Sequence, residues 1–223
     1  MRVMILAAGR GERLRPLTDS IPKAMVPAGG KPLIAWHLER LAAAGCREAV
    51  VNVSHLAERI TEGIGDGSRY GLSIRYSREP EPLETAGGIA HARALLGEAP
   101  FLLVNADVYC EIDFAALRRL DLGKRLAHLV LVPNPAHRSG GDFTLEDGFV
   151  GNGSAARYTY AGIAVMSPAL VSGVKPDEKA PLAPLLRSSA ERRLITGELY
   201  RGVWQDVGTR ERLAELEAHL ASR

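Results

Sequence analysis

The stretch Val3-Met4-Ile5-Leu6-Ala7-Ala8-Gly9-Arg10-Gly11-Glu12-Arg13-Leu14-Arg15-Pro16-Leu17-Thr18, followed by Ile21-Pro22-Lys23-Ala24-Met25-Val26-Pro27, decides how this chain is read. An apolar β-run, Val3 to Ala7, empties into a turn where Gly9 and Gly11 let the backbone approach a ligand closely. Arg10, Arg13, Arg15 and Lys23 follow, the composition of a polyphosphate cradle. A Walker A loop is excluded, because the residue five after Gly9 is Leu14 and Arg15-Pro16 stands next. A dinucleotide fingerprint fails at the same place, since Leu14 occupies the position of its third small residue.

Outward from that loop the chain has the rhythm of βαβ units. Helical spacing runs from Leu33 to Ala44 and stops at Gly45, and Glu48 to Ser54 reads as a buried strand. A helix from His55 to Ile64 and a strand from Leu72 to Tyr76 follow. The Pro-rich loop Glu79-Pro80-Glu81-Pro82 delivers Leu83-Glu84-Thr85-Ala86-Gly87-Gly88 to a helix that runs through Leu96, with Thr85 as a candidate N-cap. Phe101 to Ala106 is a central strand ending at Asp107, where open α/β sheets place their chemistry. Ala127 to Val132 is another core strand. The polar segment 134–162 carries strand-like pieces at Phe143 to Leu145 and from Tyr158 to Met166, and reads as an insertion across the sheet edge that walls a substrate pocket. A helix from Leu182 to Arg192, a strand around Val203 to Thr209 and a helix from Arg210 to Leu220 complete the pattern.

The 223 residues suit a single α/β domain spanning 1–223. A 46% apolar and 24% charged composition is that of a globular protein, and a net charge of +2 does not describe a nucleic-acid coat. No apolar run reaches membrane-spanning length, and the apolar start is too short for a signal segment, so a cytoplasmic location is expected, with no nucleic-acid or membrane partner. Cys46 and Cys110 lack CxxC spacing and read as packed thiols, and the six histidines are scattered.

The loop resembles the signature of sugar-phosphate nucleotidyltransferases, Leu-Ala-Ala-Gly-x-Gly-x-Arg-(Leu/Met)-x-Pro-Leu-Thr followed by Pro-Lys-x-(Met/Leu)-(Val/Leu)-Pro. The likeness extends from Met1 to the helix after Thr209. It implies a Rossmann-like, doubly wound mixed sheet in three α/β/α layers. It implies that Arg15 and Lys23 compensate charge on the triphosphate, and that Asp107 and Asp206 hold one Mg²⁺ ion bridging the nucleotide and sugar phosphates, the ion's other ligands being phosphate and water. Neither aspartate is expected to be needed by the core. Ala8, Gly9, Gly11, Glu12, Arg13, Lys23, Glu84, Gly87 and Asn105 are the expected nucleotide-binding residues. Arg10 and Arg13 are read equally as phosphate contacts or as solvated cations.

Sugar contacts are expected from Asp142, Asn152 and Gly162, though Asp142 is equally explained as a solvated strand-edge residue. Two departures stand out: Ala106 replaces a frequent Gly, and the region 153–162 lacks the second lysine that binds the sugar phosphate in many hexose-phosphate members. Arg157 is one candidate to replace it. The short length, the Glu84-Thr85-Ala86-Gly87-Gly88 loop and the missing lysine most resemble the N-acetylmuramate α-1-phosphate uridylyltransferases of peptidoglycan recycling. UTP and a sugar 1-phosphate are then the implied partners, acting on a monomer or weak homodimer. A mannose-1-phosphate guanylyltransferase is the enzymatic rival, because its base loop is also similar to Pro82 to Gly87. A non-catalytic nucleotide-sensing module is the rival of another class. For the lactyl carboxylate of N-acetylmuramate, Arg138 and Arg157 are the cations the insertion offers.

Overall fold

The computed structural model describes residues 1–222. In chain order its first half comprises β1 (Val3–Leu6), the short hairpin β2 (Pro27–Ala28) and β3 (Lys31–Pro32), α1 (Leu33–Ala43), β4 (Glu48–Val53) and α2 (Ala57–Ile64). It continues through β5 (Ser73–Arg78), α3 (Glu84–His91), α4 (Arg93–Leu96) and β6 (Phe101–Asn105). The second half holds β7 (Val108–Cys110), α5 (Phe114–Arg119), β8 (Ala127–Val132), β9 (Phe143–Glu146), β10 (Phe149–Gly151) and β11 (Arg157–Met166). It then runs through α6 (Leu182–Glu191), β12 (Ile195–Leu199), β13 (Trp204–Asp206) and α7 (Arg210–Ala221).

Nine strands form one mixed sheet in the order β5-β4-β1-β6-β11-β8-β12-β10-β9. The β5, β4, β1 and β6 strands are parallel, and β11 runs antiparallel to β6. Period-two alternation assigns the two faces. Val3, Ile5, Leu102 and Val104 pack with α1, α2 and α5 through Ile34, Leu38, Leu41, Ile60, Ile64 and Leu117. Met4, Phe101 and Leu103 face the other layer, where Ile89, Leu96, Leu182 and Leu186 come from α3, α4 and α6. These are the expected three layers, with the sheet buried on both sides. A smaller cluster joins α7 to the β2–β3 hairpin through Val26, Ala28, Tyr109, Val207 and Leu216.

The structure corrects several local expectations. Segment 134–162 does not lie across the sheet edge; β9 and β10 extend the sheet, and β9 also pairs with the start of β11. Strands β11, β8, β12, β10 and β9 thereby close on themselves. The strand expected around Val203 to Thr209 is present as β13 but spans only Trp204–Asp206, and it pairs with β7 outside the main sheet, Asp206 opposite Val108. Helix α3 begins at Glu84 with Leu83 as an N-cap that lends no side chain, so Thr85 lies inside the first turn. The stretch Leu83 to Leu96 breaks into two helices at Ala92.

His37 of α1 is fully buried, and its Nε2–H donates to the Val108 carbonyl (2.5 Å), tying the helix to β7. Burial lowers its pKa to about 4 against the opposing pull of that carbonyl. A histidine kept neutral in the fold but free to charge in the unfolded chain costs stability in acid. Stability is whole above the ordinary value near 6.5, and falls as pH drops from there to about 4. The expected loss is about 3 kcal/mol. Urea unfolding at pH 7 and pH 4.5 checks this; a His37→Gln variant with the same pH slope would disprove it.

Candidate active site

The loop after β1 is built by three short helical turns, Glu12–Leu14, Leu17–Asp19 and Lys23–Met25, pinned by fully buried Leu14. Gly11 sits at φ 67, and its carbonyl accepts from Thr18 Oγ1 (2.8 Å). A Cβ on Gly11 would lie 2.9 Å from Thr18 Cγ2 and 3.1 Å from Lys23 Cβ, so the loop can close only over a glycine.

Beyond the carboxyl ends of β1 and β6 this loop frames a cavity of about 230 Å³. Ala8, Gly9 and Lys23 wall it on one side, Glu84 and Thr85 on another, and Asn105 and Asp107 below. Lys23 Nζ donates to Asp107 Oδ2 at 2.5 Å. Sequence reasoning missed two further lining residues. Asn52 Oδ1 accepts from Ala7 N (2.8 Å), and Asn52 Nδ2 donates to Glu79 Oε1 (2.6 Å). Glu79 Oε2 accepts from Leu83 N (3.0 Å). This buried relay fastens the first loop to the Leu83–Gly88 loop. The available signal was a polar Asn52 within an otherwise apolar strand and a carboxylate opening the Pro-rich loop.

A second cavity, about 770 Å³, adjoins the first and is lined by Gly9 to Arg13, Lys23, Lys179 and Gly208. A third, about 440 Å³, is lined by Asn105, Asp142, Tyr160, Gly162 and two arginines, Arg138 and Arg187. Glu84 lines all three and adopts φ 60, a costly left-handed conformation for a residue with a Cβ. Asp142 accepts from Tyr160 N (2.9 Å) and pairs with Arg138 (2.6 Å). Gly162, at φ 75, lets the bulged part of β11 pass Asn105; a Cβ there would stand 2.7 Å from Asn105 Nδ2. The Tyr160 hydroxyl is buried without a hydrogen-bond partner, and burial pushes its pKa up.

A glycine-bearing loop rich in cations thus meets a strand-end aspartate in a cleft leading to a polar side pocket. Residues 2–138 match the family model for nucleotidyl transferases. The chain belongs to the nucleotidyl transferase family. It is 47% identical to an N-acetylmuramate alpha-1-phosphate uridylyltransferase of Neisseria meningitidis serogroup B, over 98% of this chain and 97% of that protein. A second uridylyltransferase of that name, from Caulobacter vibrioides, is 35% identical over 98% and 96%. The fold is that of a UDP-glucose pyrophosphorylase solved with UDP-glucose (TM-score 0.80, 20% identity, 100% of this chain and 99% of that one).

Asp206 brings the family's metal expectation to a test. Its backbone lies beside Asp107, whose carbonyl accepts from Val207 N (2.8 Å). Its side chain opens to a different cavity, beside Arg13, His137 and Arg212. Asp206 Oδ2 pairs with Arg212 Nη1, which also donates to His137 Nε2 (2.8 Å). That nitrogen therefore has no proton to give Asp206 Oδ1 at 3.1 Å, and this buried oxygen is left without a hydrogen bond. Among the described residues no cluster of three metal-ligating side chains occurs. The two aspartates adjoin through their backbones while their carboxylates open to different cavities, so the fit to a Mg²⁺ ion completed by phosphate and water rests on the orphaned Oδ1 of Asp206 and on the oxygen donors themselves.

Four expected site residues are engaged elsewhere. Arg15 is exposed, pairs with Asp19 (3.1 Å) and lines none of these cavities. The Gly87 N–H is not free for a base, because, like that of Ala86, it donates to the Ala180 carbonyl. Asn152 Nδ2 donates to the Arg187 carbonyl (2.9 Å) near the end of α6, outside the side pocket. Arg157 binds the carbonyls of Asn152 and Gly153 and so holds its own turn closed. The side pocket is lined instead by Arg187 of α6, which lies over the Phe143 ring (5.5 Å).

Proposed function

We propose that this chain joins UTP and N-acetylmuramate 1-phosphate, giving UDP-N-acetylmuramate and pyrophosphate. The near full-length likeness to the two uridylyltransferases carries this reading. A sugar-phosphate oxygen forms the new bond to the α-phosphorus, and the bond to the bridging oxygen breaks, so pyrophosphate leaves with that electron pair. Catalysis is positioning and charge compensation, with no covalent enzyme intermediate. Lys23 and the Gly9–Arg13 backbone face the triphosphate. Glu79, an acceptor already fixed by two donors, faces the base and suits an imide N–H. Asp107 and Asp206 would hold Mg²⁺, which supplies Lewis-acid polarisation of phosphate oxygens when bound. A cytoplasmic place in cell-wall recycling follows from the products of this reaction.

In the side pocket, Asp142 and the Tyr160 hydroxyl serve the sugar, and Arg138 and Arg187 serve the lactyl carboxylate. Arg138 is already paired with Asp142, whereas Arg187 makes no carboxylate pair across the pocket, so Arg187 is the stronger candidate. A charge-assisted bond of about 1.5–3 kcal/mol corresponds to roughly 10–100-fold in selectivity. Arg187→Ala is expected to lose that much N-acetylmuramate preference over N-acetylglucosamine 1-phosphate. An unchanged ratio of kcat/KM for the two sugars would remove Arg187 from the site. The reaction itself is tested by pyrophosphate release from UTP, GTP, CTP and dTTP against N-acetylmuramate, N-acetylglucosamine, glucose and mannose 1-phosphates. Preference for GTP with mannose 1-phosphate would replace this reading with a guanylyltransferase.

A further inference from the structure

The cations of the large cleft are unevenly placed. Arg10, Arg13 and Lys23 all come from the loop after β1, on one wall. The opposite wall is made of Glu81, Pro82 and Glu84, and the cation it carries is Lys179. Two phosphate groups that must approach within bonding distance repel each other, and cations on one side alone cannot screen the second arrival. Resting on the proposed transfer reaction, we propose that Lys179 binds the phosphate of the incoming sugar 1-phosphate.

Three observations carry this. The first is position: Lys179 lines the large cleft, while Pro181 and Leu182, two and three residues further on, line the side pocket. Lys179 thus stands where a sugar seated in the side pocket must extend its phosphate toward the nucleotide. The second is anchorage, since residues 173–181 form a strap laid along α3. Ala180 N donates to the Leu83 carbonyl (3.0 Å), and the Ala180 carbonyl accepts from Ala86 N (3.0 Å) and Gly87 N (3.1 Å). Gly87 makes this seat available, because a Cβ there would stand 2.3 Å from the Glu178 carbonyl oxygen. The third is availability: the side chain is 65% exposed and its ammonium lies 4.0 Å from Glu84 Oε1, a loose pairing. A phosphate dianion at hydrogen-bond distance competes readily with such a contact.

The test is steady-state kinetics of Lys179→Ala, Lys179→Gln and Lys179→Arg in magnesium buffer, with titration calorimetry of the sugar 1-phosphate. KM for the sugar 1-phosphate should rise about tenfold in the Ala and Gln variants, equivalent to about 1.4 kcal/mol. KM for UTP should stay within about twofold, the Arg variant should recover part of the loss, and calorimetry should show the same weakening. Unchanged KM for the sugar phosphate, or equal rises for both substrates, overturns the assignment while leaving the transferase reading intact. If the wild type uses a different sugar 1-phosphate, the sugar choice fails and Lys179 is judged on the sugar that is used. A wild type that binds and turns over none of the sugar 1-phosphates overturns both. Should Lys179→Ala fail to fold, the Gln variant, which keeps the stem, decides.

Discussion

Lys23→Ala is expected to lower kcat about 10²–10³-fold, by analogy with loss of one preorganised donor to developing charge. UTP binding should change far less. The Lys23 side chain is only 12% exposed and its ammonium sits against Asp107 at the floor of the cleft, where charge on the departing pyrophosphate would be poorly screened by water. An interaction that strengthens as the leaving group gains charge acts on kcat more than on ground-state affinity. Single-turnover rates and UTP titration on the same variant separate the two. A variant in which only KM changes would reduce Lys23 to an anchor for bound nucleotide.

Asp107→Asn and Asp206→Asn should each reduce turnover about 10³-fold even at saturating Mg²⁺, the several kcal/mol expected of a divalent ion's charge stabilisation. Near-normal rates in either variant would remove that residue from the metal site. Their stabilities should differ, contrary to the expectation that the core needs neither. Asp107 is 36% exposed and its loss leaves a lysine that water can reach. Asp206 is the carboxylate paired with Arg212, whose side chain is only 10% exposed, and removing its charge strands a cation in the interior. Asp206→Asn is therefore expected to lose up to about 3 kcal/mol in urea unfolding and Asp107→Asn less than about 1 kcal/mol. Equal stabilities for the two variants would contradict the paired role of Arg212.

In the first loop Gly11 and Leu14 were legible because each has one dominant reason to be there, whereas Arg15 was not, since only the fold shows it drawn to Asp19. Gly11 must be small against Thr18 and Lys23, and Leu14 must be buried. The parallel half of the sheet was legible because β1, β4 and β6 are largely apolar runs and edge strand β5 alternates. Strand β12 was not, since Ile195-Thr196-Gly197-Glu198-Leu199 carries a Gly and a Glu in its middle. Gly197 is forced there by Val150 Cγ2, 2.7 Å from a virtual Cβ, a contact between strands about fifty residues apart that no local pattern announces. Sugar-site residues failed likewise. Asn152, Arg157 and Arg187 are all polar residues near one pocket, and only tertiary contacts show that the first two spend their donors on nearby carbonyls while the third faces the cavity. Gly87 misled because a glycine that admits a base edge and one that admits a neighbouring strap have the same sequence signature.

The cleft is joined across long stretches of chain: Lys23 and Asp107 are 84 positions apart, and Arg212 and His137 75. Closing such loops costs entropy that only the finished contacts offset, so the cleft depends on the whole fold and on no single local segment. Until β13 pairs with β7, Asp206 has no neighbour at Asp107 and the pocket lacks one of its sides. Because the β7–β13 pair brings Asp206 to the cleft before any ligand arrives, a nucleotide that binds only the finished cleft is expected to stabilise the whole chain, read as a rise in Tm with nucleotide concentration.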